Sequence, residues 1–139
     1  MTFQEKSTLT MTAIMVLVYG WYFTLVLGPI AGSPAREVAY TGLMVAVVVL
    51  LVILAAASQV VLAIAFRSQA NADDERDRLI TLRSGEIAGY ILAVGVCAGI
   101  GLAMMQSDTF WIAQALIGAL VLAEVSKGVS KLVLYRRGL

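Results

Sequence analysis

The chain has 139 residues, 60% of them hydrophobic and 14% charged, with a mean hydropathy of +0.90. A soluble domain runs nearer half apolar and a quarter charged, so an ordinary water-soluble globule is excluded and the length suits a single domain, 1–139. Ten Lys and Arg against nine Asp and Glu leave no basic surface for nucleic acid, and the absence of histidine with one cysteine, Cys97, excludes His-ligated haem or zinc, a Ser-His-Asp triad and an internal disulfide.

A membrane helix needs about 20 mostly apolar residues. Leu9 to Ile30 is uncharged and forms the first expected span. Its apolar run is longer than a signal-peptide core, and no clean small-x-small cleavage site follows it, so it reads as a retained helix. Val38 to Phe66, also uncharged, is a second span longer than needed, which should tilt or protrude. Residues 67–86 form a charged linker, helical from about Asn71, with Asp73, Asp74 and Glu75 at the positive end of the helix dipole. Asp74 with Arg78, Glu75 with Arg78, and Arg83 with Glu86 have helical pair spacing. Leu79, Leu82, Glu86 and Tyr90 share one stripe, so the linker reads as a cytosolic extension of the third helix. Ile87 to Gln106 is the third span, and Phe110 to about Tyr135 the fourth. The fourth must carry Glu124 below the membrane surface, because its uncharged run stops at Ala123.

Nine of the ten basic residues fall on one side of these spans: Lys6, Arg67, Arg76, Arg78, Arg83, Lys127, Lys131, Arg136 and Arg137. Only Arg36 falls on the other. The positive-inside rule then puts both termini and the linker in the cytoplasm of a multi-pass inner-membrane protein. The outer loops at 28–34 and 107–109 are short, which makes consecutive helices antiparallel neighbours. The expected fold is all-α: an antiparallel, integral membrane four-helix bundle. Trp21, Tyr22, Phe23, Phe110 and Trp111 are placed at the outer interface and Tyr135 at the inner one.

Three sets of residues stand out as candidates. Glu124 and Lys127 are three apart on one helix face that Lys131 continues. They read as a snorkelling ion pair, with a proton- or cation-coupling carboxylate as the alternative. Gln59 and Gln114 are polar groups within spans, and such groups commonly join helices by hydrogen bonds. Gly85, Gly89, Gly95 and Gly99 on the third helix, and Ala115, Ala119 and Ala123 on the fourth, recur at four-residue spacing. Faces of that kind let helices approach closely, within the bundle or between copies in a homo-oligomer. The linker residues Asp74, Glu75, Arg76, Asp77, Arg78, Arg83 and Glu86 are either a solvated helix start or a docking surface for a cytosolic protein. No second acidic cluster converges on them, so neither metal nor cofactor is expected. Catalysis would need a nucleophile with a base. The one pairing on offer, Ser126 or Ser130 with Lys127 or Lys131, has equally the spacing of a basic membrane-edge helix. Small multidrug transporters share the size and span number, but they use a carboxylate in the first helix and this first span has none.

Several segments together carry a resemblance. They are Phe3-Gln-Glu5-Lys6-Ser7 before the first span, Asp74-Glu75-Arg76-Asp77-Arg78 with Ile80 and Arg83 in the linker, Asp108-Thr-Phe110-Trp111-Ile112-Ala113, and the tail from Lys131 through Tyr135-Arg136-Arg137-Gly138. Nearly end to end, the chain resembles a group of small four-span bacterial membrane proteins of unknown function. Members often sit beside small helix-turn-helix regulators, which implies a regulatory rather than a catalytic role. Many carry His before Phe-Trp, where this chain has Thr109. The expectation is a non-enzymatic membrane protein with a regulatory, scaffold or partner-binding role, with a small oligomeric transporter or channel using Glu124 as the alternative.

Overall fold

The computed structural model describes residues 3–28, 40–66 and 75–137. These form four helices, α1 (Phe3–Leu27), α2 (Thr41–Phe66), α3 (Glu75–Met104) and α4 (Thr109–Arg137), with no strand among the described residues. Three are long and apolar enough to cross a membrane, over Thr8–Leu27, Asp77–Met104 and Thr109–Arg137. The helix α2 runs over Thr41–Phe66, with Thr41–Leu54 an apolar helical stretch among the described residues. The helix α1 ends at Leu27, and Ile30, the expected end of the first span, lies outside the described residues. The linker is helical from Glu75, continuous with the third span; Arg67, Asn71, Asp73 and Asp74 lie outside the described residues.

The composition of α2 shows why these segments are helical. Val45, Val47, Val48, Val49, Val52 and Ile53 are β-branched and indifferent helix formers in water. In hydrocarbon every backbone N–H and C=O must be satisfied within the segment, and a helix does that whatever the side chains. The outer surface agrees with such a solvent. Leu17 and Trp21 on α1, Ile53 and Ile64 on α2, Tyr90 and Val94 on α3, and Leu122 on α4 are all exposed. An apolar shell on every helix is a liability in water and the ordinary state of a protein in lipid.

Packing centres on α4. It lies most extensively against α3, then against α1, and α1 in turn touches α2. On α4, Phe110, Gln114 and Ile117 are buried at four- and three-residue steps, and Gly128 is buried on the same stripe about three turns further on. The matching stripe on α1 buries Tyr19, Tyr22 and Val26, with Met15 and Val18 packed beside them. A side-chain carbon on Gly128 would run into the Thr12 hydroxyl, while Tyr22 reaches Gln114, so the two helices meet in opposite directions. Val47 of α2 completes this core, and the Tyr40 ring stands edge-on to Phe110 with centroids 4.8 Å apart.

The other side of α4 buries Ala119 and Ala123 against α3, which turns in Ile80, Ser84, Ala88 and Gly99. Here backbone approach is the limiting quantity. A Cβ on Gly95 would overlap that of Ala119, and one on Gly99 would stand 2.7 Å from Leu116 Cδ2. The connection is a tight helix stop. Ser107 N–H donates to Leu102 O at 3.1 Å and Gln106 N–H to Ala103 O at 3.0 Å, the two bonds of a Schellman motif, with Gln106 in the left-handed region at φ 55°. Asp108 O then accepts from Trp111 N–H at 2.9 Å to start α4.

The small-residue motif therefore divides. Gly95, Gly99, Ala119 and Ala123 pack α3 on α4, and Ala115 is half-buried. Gly85 and Gly89, expected to share that role, have nothing within 4 Å of an added Cβ. Their side of α3 is turned away from α4. Gly95→Ala is expected to cost about 1–3 kcal/mol through overpacking. Gly89→Ala is expected to be neutral or to stabilise by up to about 1 kcal/mol through helix propensity. Detergent-titrated unfolding in mixed micelles, followed by tryptophan fluorescence, measures both.

Candidate functional site

The polar groups within the helices are few, and each has a local explanation. Hydroxyls are bonded back onto their own turns: Thr12 Oγ1 donates to Thr8 O at 2.8 Å, Thr24 Oγ1 to Trp21 O at 2.7 Å and Ser84 Oγ to Thr81 O at 3.0 Å. This satisfies a donor in hydrocarbon without a partner helix. Gln114 is buried and bonded to Tyr22: the phenol donates to Oε1 at 3.2 Å, and Nε2 lies 3.1 Å from the same hydroxyl. The expectation that Gln114 joins helices by a hydrogen bond is met, with Tyr22 as its partner. The side chain of Gln59 lies outside the described residues.

Of the aromatics expected near the outer interface, Tyr22 and Phe110 are core residues, whereas Trp21 and Trp111 are exposed. The stripe of Met15, Tyr19, Tyr22 and Val26 at three- and four-residue steps was the available signal, and the clustering of aromatics near one helix end obscured it. Tyr19 is buried in the same core, and its hydroxyl has no hydrogen-bond partner among the described residues.

Glu124 and Lys127 approach to 3.9 Å, with side chains 42% and 45% exposed respectively. A separation near the limit of an ion pair and near-half exposure put this pair on the bundle's flank, not in an enclosed pathway. Lys131, one turn on, is half-buried and within electrostatic range of Asp77 at the start of α3 and of Lys127. The start of α3 and the last turns of α4 thus lie near one another. No hydrogen bond joins Ser126 or Ser130 to Lys127 or Lys131 among the described residues, and no group of three or more His, Cys, Asp or Glu there could hold a metal ion.

At the start of α3, Glu75, Arg78, Arg83 and Glu86 are exposed and Asp77 is half-buried. Asp74 and the side chain of Arg76 lie outside the described residues. The helical spacing suggested ion pairs from Glu75 to Arg78 and from Arg83 to Glu86; neither forms. Both pairs are solvated, and an exposed pair gains too little to hold two long side chains in one geometry. The structure therefore gathers Arg83 and Glu86 on one exposed face with Leu79 and Tyr90, their charges unspent. Beside that face an apolar hollow of about 330 Å³ opens between α3 and α4, lined by Tyr90, Ile91, Val94, Gly95, Ala119 and Leu122. Sequence reasoning missed this hollow, which exists because Gly95 and Ala119 bring two backbones together and leave nothing above them. Thr109 is exposed at the first position of α4.

No family model matches this chain, and no characterised protein or solved structure is significantly similar to it.

The two tyrosines separate a used hydroxyl from an unused one. Tyr22→Phe should destabilise by about 0.6–1.7 kcal/mol, because it strands the Gln114 amide. Tyr19→Phe should be neutral or stabilising, because it removes a buried hydroxyl without a partner. The same micelle unfolding assay reads both, and the opposite order would show the core polar contacts to be misassigned.

Proposed function

We propose that this chain is a non-enzymatic inner-membrane protein with a regulatory or scaffold role, acting by binding a cytosolic protein at the charged start of α3. One observation carries the reading: Glu75, Arg78, Arg83 and Glu86 are exposed on a rigid helix that continues into an apolar span, with no ion pair among them. Unpaired charges of both signs on a preorganised helix suit recognition, since complementary charge steers encounter and fixes register more than it stabilises the helix itself. The likeness of the linker to that of small four-span proteins near regulators points the same way. The reading includes an antiparallel four-span bundle with both termini in the cytoplasm, supported by the one-sided distribution of Lys and Arg.

The second reading, a small transporter or channel using Glu124, rests on a carboxylate inside a span. Its half-exposed position beside Lys127 favours a membrane-edge ion pair that lets both side chains snorkel.

Three measurements follow. In a Cys97→Ala background, Ser107→Cys should be labelled by an impermeant maleimide from outside intact cells and Arg137→Cys only after permeabilisation; the reverse pattern inverts the topology. The Glu75→Arg, Arg78→Glu double substitution should abolish in-cell cross-linking to a cytosolic protein while the chain stays in the membrane fraction. Unchanged cross-linking would remove this surface from the function. In proteoliposomes, Glu124→Gln and the parent should show the same background flux of protons and organic cations; flux that is lost in the variant would establish the transporter reading instead.

A further inference from the structure

We infer that the outward face of α3 is a parallel, two-fold seam to a second copy of this chain, joined by reciprocal Arg83–Glu86 ion pairs. The inference deepens the partner-binding reading by naming the occupant of the part of that surface nearest the membrane.

The face is continuous. Leu79, Arg83, Glu86, Tyr90, Val94 and Cys97 recur at three- and four-residue steps, and all are exposed. This is the side of α3 opposite Ile80, Ser84, Ala88 and Gly99, which are committed to the interior. Copies inserted in one orientation can be related by a two-fold axis along the membrane normal, which sets α3 beside α3 in parallel and makes the contact isologous. Arg83 of one copy then lies about one helical turn from the height of Glu86 of the other, within reach of a guanidinium, and the reverse pair forms by symmetry.

Charge is the first argument. Arg83 and Glu86 are three apart on one helix, yet among the described residues neither pairs with the other nor has another partner. Opposite charges that meet across two parallel helices fix their register and orientation. Shape is the second, and it is independent of the first. Tyr90 is 75% exposed and projects next to the 330 Å³ apolar hollow left by Gly95 and Ala119. A knob beside a hole on one surface is self-complementary under a two-fold axis, so the phenol ring of each copy enters the hollow of the other. Single lipid chains would fill the hollow but would leave both charges unanswered.

Cys97 reports on the seam. It is the chain's one cysteine, it is free and exposed, and the two-fold brings it towards its own copy. Full-length protein in alkali-washed membranes, and reconstituted at low protein-to-lipid ratio, is oxidised with copper phenanthroline and run on non-reducing gels. A cross-linked dimer of twice 14.8 kDa is expected, reversed by reductant and lost in Cys97→Ala. Moving the thiol off the face, in Cys97→Ala with Ala98→Cys, should cut the cross-linked fraction at least fivefold. Arg83→Glu should cut it similarly, and adding Glu86→Arg to that variant should restore it. Such a rescue cannot arise from misfolding. Protein that stays in the membrane but does not cross-link, cross-links equally from position 98, or is not rescued by the charge swap overturns the seam. Protein lost from the membrane fraction overturns the membrane reading and the seam together.

Discussion

The distance at which α4 can lie on α3 decides the rest of the structure. Lipid tails are as apolar as the helices, so burial alone gives α3 and α4 no reason to associate. What holds them is dispersion at close range, and that depends on Gly95 and Gly99 having no side chain where Ala119 and Leu116 come to rest. Once α4 is held there, its opposite stripe is presented to α1, and Phe110, Gln114, Ile117 and Gly128 become one half of the core. Gly128 repeats the device at the other end of that stripe, where the Thr12 hydroxyl occupies the missing side chain's place. The helix α2 comes last in this hierarchy. It reaches the core through Val47 and through the edge-on contact of Tyr40 with Phe110.

The interior that results is poor in chemistry. Its polar contact between helices among the described residues is Tyr22 with Gln114, and the serine and threonine hydroxyls nearby are absorbed by their own helical turns. A coupling site would need a carboxylate enclosed where its solvation can be exchanged for an ion's. Glu124 is instead on the flank beside Lys127, in a position where its charge can reach the membrane edge. Among the described residues, the ionisable side chains of α3 and α4 are exposed or half-buried and none lies in the core.

Much of the helical plan was legible because hydrocarbon narrows the choice of backbone so severely. An uncharged run of twenty residues in lipid is a helix irrespective of its β-branched content, which is why Val45 to Ile53 could be read correctly against their propensities. The pairing of helices was legible only in part. Small residues at four-residue spacing marked both Gly85–Gly89 and Gly95–Gly99, yet only the second set meets α4. Ten residues along a helix fall short of three full turns by roughly 80°, so Gly85–Gly89 and Gly95–Gly99 do not point at one straight neighbour. The place of Tyr22 in the core was hard to read for a related reason. Aromatic residues are abundant both at the interface and in cores, and the stripe from Met15 to Val26 separates these cases only when the partner stripe on α4 is considered with it.

That same geometry bears on where a charged residue can be kept. Along α3, the rotation that buries Ser84 and Ala88 necessarily turns Arg83 and Glu86 outward. A guanidinium and a carboxylate in that position contribute little to the fold of their own chain, since they make no ion pair among the described residues. Replacing both with leucine would extend the apolar span by a turn at no cost in internal packing. A surface that offers both signs about one helical turn apart answers both, and an identical surface related by a two-fold axis meets that requirement with no further component.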